Sequence, residues 1–311
     1  MTLRVAVVGA GAMGAKHARA VASAGDQVVL VVDTDHERAN RLAEAHGAQP
    51  RTEMSDLGEH GVEAAVVATP TADHPETTAH LLGKGIPVLV EKPHRTPSQP
   101  GWVAAAGEPL CWVGMSTRHL AGMATVADAI AKGTLGEIVL WSDRIWYQLR
   151  SHALPGWYFD RDLAGGGILT TNGVHALDRV KWMLGDLRIE SARLGRIFPN
   201  HETEDTASIA GTVGETRVEI SLVWSSGPVP SSELIVVGTE GTAIVRQGQD
   251  WAIQSPGMVA RGLETEIDDP LRRQWEAFRD ALASESEQGP TPEFLEGVMN
   301  QIESIYGESD L

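Results

Sequence analysis

The apolar run Leu3–Val8, interrupted only by Arg4, breaks directly into Gly9-Ala-Gly11-Ala-Met-Gly14. Of all features in the chain, this one constrains the fold most. The first glycine permits a tight turn, the second lets a ligand approach the backbone, and the third lets the following helix pack on the strand. A strand that empties into a helix start implies a strand–helix–strand unit, hence a parallel sheet. Ala12–Ala24 has helical spacing, with Met13, Ala20 and Ala24 on one stripe. The next apolar run, Val28–Val32, ends in Asp33, nineteen residues beyond Gly14. An acid at that point accepts from ribose hydroxyls, while the helix N-terminus receives a pyrophosphate. Gly9, Gly11, Ala12, Met13, Gly14, Asp33 and Thr34 are therefore expected to bind a dinucleotide. Asp33 would repel a 2′-phosphate and Thr34 adds no positive charge, which favours NAD over NADP. Arg38, about a turn into the next helix, is the one residue near enough to argue the other way.

The strand–helix beat continues through Ala64–Thr69, Pro87–Val90 and Cys111–Met115, with a weaker strand near Gln49–Thr52. Apolar strands separated by helices predict a doubly wound, Rossmann-type α/β domain over residues 1–119. The remainder, 120–311, reads differently. A helix at Ala121–Lys132 and a long strand at Glu137–Leu149 lead to Gly165-Gly166-Gly167 and a helix running to about Leu184. Strands come next without helices between them: Ile189–Ile197, Thr206–Val213, Arg217–Trp224, Leu234–Val237 and Thr242–Arg246. Helices at Leu271–Ala283 and Pro292–Tyr306 close the chain, with a polar loop at Ser284–Gly289 before the last. This predicts an α+β domain with a mostly antiparallel sheet.

Charge removes several functions. A formal net charge of −17 with no Lys/Arg stripe argues against nucleic acid and against an anionic membrane surface. The apolar runs are too short to span a bilayer, and the N-terminus reads as a strand, not a secretion signal. One cysteine, Cys111, allows no intrachain disulfide and points to the cytoplasm. No metal site is expected.

Two further stretches carry a specific pattern. One is Ala68-Thr69-Pro70, then His74, then Val90-Glu91-Lys92-Pro93. The other runs from Gly165-Gly166-Gly167 through Thr171-Asn172-Gly173-Val-His175 to Asp178. With the glycine loop, Glu204-Asp205-Thr206 and Gly238-Thr-Glu-Gly241-Thr242, they resemble the glucose–fructose oxidoreductase, inositol dehydrogenase and MocA family over nearly the whole chain.

The resemblance implies NAD(P)-dependent hydride transfer to or from a sugar, sugar derivative or cyclitol, in a homodimer or homotetramer. It adds Thr69, Pro70, His74, Glu91 and Lys92 to the cofactor contacts. It gives Lys92 and His175 catalytic roles, Lys92 on the substrate oxygen and His175 as general acid/base. Histidine, with an ordinary pKa of about 6.5, suits a proton exchanged near neutrality. Many family members carry Asp at the position of Thr171, so no Asp–His dyad is expected here. Thr171, Arg118, His119, Tyr147 and Trp157 are the expected substrate contacts, and aromatic faces with polar tips suit a sugar ring. The family usually has Arg where Tyr158 stands. On α-helical spacing, Leu169, Gly173, Leu177, Val180 and Leu184 form a core stripe, while Thr171, His175 and Asp178 share another face. Asp178 is expected to orient or cap. Two other activities occur on this scaffold: redox glycoside cleavage with bound NAD, and nucleotide sensing without catalysis.

Overall fold

The computed structural model of the chain describes residues 2–54, 60–104, 107–149, 156–198, 202–230, 232–263, 269–284 and 289–309. Two compact units are present. One comprises Met1–Arg95, Gln99–Ser116 and Asp269–Glu296; the other comprises Thr96–Ser98, Thr117–Asp268 and Gly297–Leu311.

The first unit is a six-stranded parallel sheet in the order β3-β2-β1-β4-β5-β6, formed by β1 (Arg4–Val8), β2 (Gln27–Val32), β3 (Gln49–Arg51), β4 (Ala64–Val67), β5 (Val88–Glu91) and β6 (Cys111–Gly114). Helices α1 (Ala12–Ser23), α2 (His36–His46) and α3 (His74–Leu82) make the crossovers. Strand order reverses between β1 and β4, the point where such sheets bind ligands beyond their carboxyl ends. Val5, Val7, Val28, Val31, Val66 and Leu89 are buried, as expected for strands covered on both faces.

Beyond the boundary expected at residue 119, the first unit also takes in Asp269–Glu296. Helix α7 (Pro270–Ser284) belongs to this first unit. Its buried stripe of Trp275, Phe278 and Ala281 joins the core that contains Trp112, Val5 and Val21. Trp275 Nε1 also donates to Asp26 Oδ2 at 2.7 Å, so the buried indole N–H is satisfied.

The second unit is built on an eight-stranded sheet in the order β14-β13-β12-β11-β7-β10-β9-β8. Its strands are β7 (Ile138–Gln148), β8 (Arg188–Gly195), β9 (Thr206–Val213), β10 (Thr216–Ser225), β11 (Glu233–Gly238), β12 (Thr242–Arg246), β13 (Asp250–Ser255) and β14 (Met258–Leu263). All pairs are antiparallel except β10 with β7. β13 and β14 were not foreseen, because Asp250–Leu263 lacks a continuous apolar face: Met258, Val259 and Leu263 are exposed. On β10, Val218, Ile220, Leu222 and Trp224 are buried, matching the alternation in the sequence. Helices α4 (Ala121–Ala131), α5 (Arg161–Ala164), α6 (Val174–Met183) and α8 (Pro292–Gly307) complete the chain. Most of the loop expected at Ser284–Gly289 lies outside the described residues. No helix among the described residues is long and apolar enough to cross a membrane.

Candidate functional site

In the first unit the glycine loop is shaped by main-chain contacts. Gly9 has φ +98°, and a Cβ there would lie 2.4 Å from the Ala68 carbonyl oxygen. A Cβ on Gly14 would lie 1.8 Å from the Gly9 carbonyl oxygen, so only glycine brings α1 this close to β1. Gly11 differs: added atoms would meet open space. It is also the N-cap of α1 and supplies no side-chain cap. The first amides of α1 therefore face outward, with Gly11 and Ala12 exposed and Met13 half-buried. That is the cradle a pyrophosphate needs.

Asp33 closes the loop from β2. Its Oδ2 accepts from Ala10 N–H at 2.7 Å. Its Oδ1 accepts from Asp35 N–H at 2.8 Å and from Arg38 Nη2 at 2.9 Å. Burial pushes this carboxyl up, but the Arg38 guanidinium and the two amides outweigh it and hold the pKa below its ordinary value. Arg38 is thus paired with Asp33, and Thr34 is exposed beside it. These residues fit a dinucleotide: an open backbone cradle for phosphates, and a charged acid where ribose hydroxyls would lie.

Thr69, Pro70 and Lys92 come after the neighbouring strands β4 and β5. His74 ties them together, with Nδ1 2.7 Å from Pro93 O and Nε2 3.0 Å from Thr69 O. It is 1% exposed and shapes the loops from behind. Glu91 is buried as well; its Oε1 is 2.6 Å from His17 Nε2 on α1, and its Oε2 accepts from Lys92 N–H. Glu91 therefore supports the segment that carries Lys92. Burial lowers the Lys92 pKa, and the Glu91 charge opposes that shift. The peptide Lys92–Pro93 is cis. His17 carries no signal in the sequence, where it looks like any polar residue on an Ala-rich helix.

In the second unit His175 opens α6 and is 8% exposed. Its Nδ1 lies 3.3 Å from Thr117 Oγ1. Two buried ion pairs pin α6 at successive residues. Arg118 Nε donates to Asp178 at 2.9 Å, with Nη2 on the other carboxylate oxygen, and the guanidinium lies over the Trp182 ring. Arg179 donates twice to Asp143 on β7 at 3.0 Å. Burial raises the Asp143 pKa, and Arg179 opposes the rise. Arg118, an expected substrate contact, is paired with Asp178 and helps to mount α6.

The expected α-period through Leu169–Leu184 is also corrected. Leu169–Gly173 is a π-turn, and α6 begins only at Val174. Thr171 lies within the π-turn and His175 on α6. The Thr171 hydroxyl donates to Gly167 O at 2.8 Å. Asn172 Oδ1 accepts from Trp224 Nε1 at 3.0 Å. Of the other expected substrate contacts, His119 and Trp157 are half-buried, the Trp157 and Tyr158 rings are 4.5 Å apart, and Tyr147 is exposed with its hydroxyl 3.1 Å from Gln247 Oε1. No cluster of metal-ligating side chains occurs among the described residues.

Residues 3–101 match the model of an oxidoreductase family with an NAD-binding Rossmann fold, and residues 123–244 match the GFO/IDH/MocA C-terminal domain. Myo-inositol dehydrogenase Hyg17 of Streptomyces leeuwenhoekii is 32% identical over 189 residues, which is 59% of this chain and 56% of that protein. Inositol 2-dehydrogenase 1 of Paenarthrobacter aurescens is 26% identical over 311 residues, spanning 93% of this chain and 88% of that protein. A levoglucosan dehydrogenase solved with NADH superposes with a TM-score of 0.84 at 16% identity, covering 99% of this chain and 98% of that one, a likeness of fold.

Proposed function

This chain belongs to the Gfo/Idh/MocA oxidoreductase family, and from that premise we propose that it is an NAD-dependent dehydrogenase of a cyclitol or sugar. The observation that carries the reading is the mounting of His175: a nearly buried imidazole, touched at Nδ1 by Thr117, on a helix held by two buried ion pairs. A group that only filled space would not need such fixing; a general base does.

Bound NAD would supply the hydride acceptor for the substrate's carbinol carbon. The Gly9–Gly14 loop and Asp33 hold the dinucleotide. Lys92 binds the substrate oxygen through its ammonium, and His175 takes the hydroxyl proton as the carbon is oxidised. In the reverse direction His175 returns that proton to the oxygen. Thr171 carries no charge and spends its proton on Gly167 O, so His175 works without a carboxylate at that position. The inositol dehydrogenases among the relatives support a cyclitol as substrate, and the levoglucosan dehydrogenase supports a sugar.

We assign the protein to the cytoplasm, since its single cysteine, Cys111, is buried and unpaired. Exposed Val139, Ile197, Val259 and Leu263 on the second unit support a homodimer or homotetramer; light scattering that gives a monomer at every concentration would refute this. The main test is a screen of inositols, sugars and their keto forms with NAD or NADH, following absorbance of the reduced nicotinamide. Turnover on a cyclitol or sugar is expected. Tight NAD binding without turnover on any of them would overturn the reading, and release of a sugar from a glycoside without net NADH would replace it.

A further inference from the structure

One residue takes up three consecutive amides at the end of the glycine run. Gly167 N–H reaches both carboxylate oxygens of Glu204 at 3.0 Å, and Leu169 N–H donates to Oε1 at 2.9 Å. Ile168 N–H donates to the Glu204 carbonyl at 3.0 Å. The Ile168 and Leu169 amides are among the orphan donors at the start of a helical segment, which a side chain at the N-cap normally helps to satisfy. Ile168 occupies that position and supplies no side-chain cap. Glu204, at the edge of β9 and 4% exposed, caps the segment from a distance.

Tyr306 on α8 completes the clamp. Its hydroxyl donates to Glu204 Oε1 at 2.8 Å and lies 2.9 Å from Thr170 Oγ1. Burial raises the pKa of both Glu204 and Tyr306, while the amides of Leu169 and Gly167 pull Glu204 back. The clamp also accounts for two glycines. A Cβ on Gly167 would lie 1.9 Å from the Glu204 carbonyl oxygen, and one on Gly166, at φ +146°, 2.0 Å from the Tyr306 hydroxyl.

Beyond the clamp the chain enters the π-turn, Leu169–Gly173, and then reaches His175. A π-turn carries an extra residue in its ring, and such turns recur at functional sites. Its anchor therefore sets how far around the helix axis the next side chains point. Resting on the reading of His175 as the proton-moving group, we propose that Glu204 and Tyr306 are positioning residues: they fix the start of the π-turn and through it the direction of the His175 imidazole.

The test uses Glu204→Gln and Tyr306→Phe in the full chain, alone and combined with His175→Asn. Glutamine keeps an acceptor at the Oε1 position but sets an NH₂ against the Gly167 N–H in place of Oε2, whereas phenylalanine removes one hydroxyl. For Glu204→Gln, kcat is expected to fall by up to about 100-fold, the scale of an ångström-level misplacement, with NAD affinity unchanged. Tyr306→Phe should show a smaller fall of the same kind. Glu204→Gln/His175→Asn should be no slower than His175→Asn alone, because positioning acts only through the imidazole. The His175 ring resonances, identified by their absence from His175→Asn, should shift in both clamp variants. That readout needs no substrate, so it separates this proposal from the one about the reaction. Unmoved His175 resonances in Tyr306→Phe, or losses that multiply in the double variant, would overturn the proposal; should Glu204→Gln fail to fold, Tyr306→Phe decides.

Discussion

In the first unit the dinucleotide loop is fixed almost wholly by main chain: Gly9 against Ala68, Gly14 against Gly9, and Ala10 N–H on Asp33. In the second unit His175 is fixed almost wholly by side chains, with Asp178 on Arg118, Asp143 on Arg179 and Glu204 under Gly167 and Leu169. The difference suits the tasks proposed for the two regions. A pyrophosphate is recognised by amides and a helix end, which any sequence can supply if glycine lets it come close. A general base needs one ring in one direction, and only converging polar side chains define that.

The comparison can be broken by changing one member of each set. Asp178→Asn should have the largest effect on stability. It leaves the Arg118 guanidinium buried beside a neutral partner, at a cost of about 3–5 kcal/mol in chemical denaturation. Turnover should suffer while NAD affinity does not. Loss of NAD binding in this variant would contradict the division of labour.

Asp33→Ser should do the reverse. Losing the charged acceptor should weaken NAD by about 1.5–3 kcal/mol, roughly 10- to 100-fold in Kd by fluorescence titration. The NAD preference over NADP should shrink too, because Arg38 is relieved of the carboxylate it faces. An unchanged preference would show that the ribose acid does not set it.

The smallest effect expected is at His74. Burial lowers its pKa below the ordinary 6.5, although the carbonyls of Pro93 and Thr69 and the Glu91 charge act the other way. The unfolded chain then binds more protons than the folded one just below pH 6.5, so stability is full above that value and falls as pH drops toward the folded pKa. His74→Asn should flatten that slope in thermal melts taken between neutral and mildly acidic pH. An unaltered slope would assign the acid sensitivity to other histidines.

Legibility in the sequence tracks locality. Gly9, Gly11, Gly14 and Asp33 were readable because their geometry is settled within one strand–helix–strand unit. The doubly wound domain was readable from the same beat of strand and helix. His175 and Lys92 were readable only by resemblance, since a lone histidine or lysine carries no signal of its own. The π-turn was not readable: α-helical spacing fits Leu169–Leu184 well enough, and the extra residue is stabilised by Glu204, 35 positions from Leu169. Tyr306 lies farther still, 102 residues from Glu204. The docking of α7 was hidden for a similar reason. Trp275, Phe278 and Ala281 announce an apolar stripe but not the sheet that buries it. Arg118, read as a substrate contact, is a reminder that a charged residue after a strand can serve the scaffold.

The most direct test of the account is to measure NAD affinity and turnover on a single variant, His175→Asn, with the best substrate from the screen. NAD binding should match the wild type, since the Gly9–Gly14 loop and Asp33 are untouched, while turnover falls by roughly 10²–10⁴, the usual worth of a positioned proton-transfer group. Near-normal turnover in that variant would contradict the assignment of His175 and leave the fold and the dinucleotide loop standing without it.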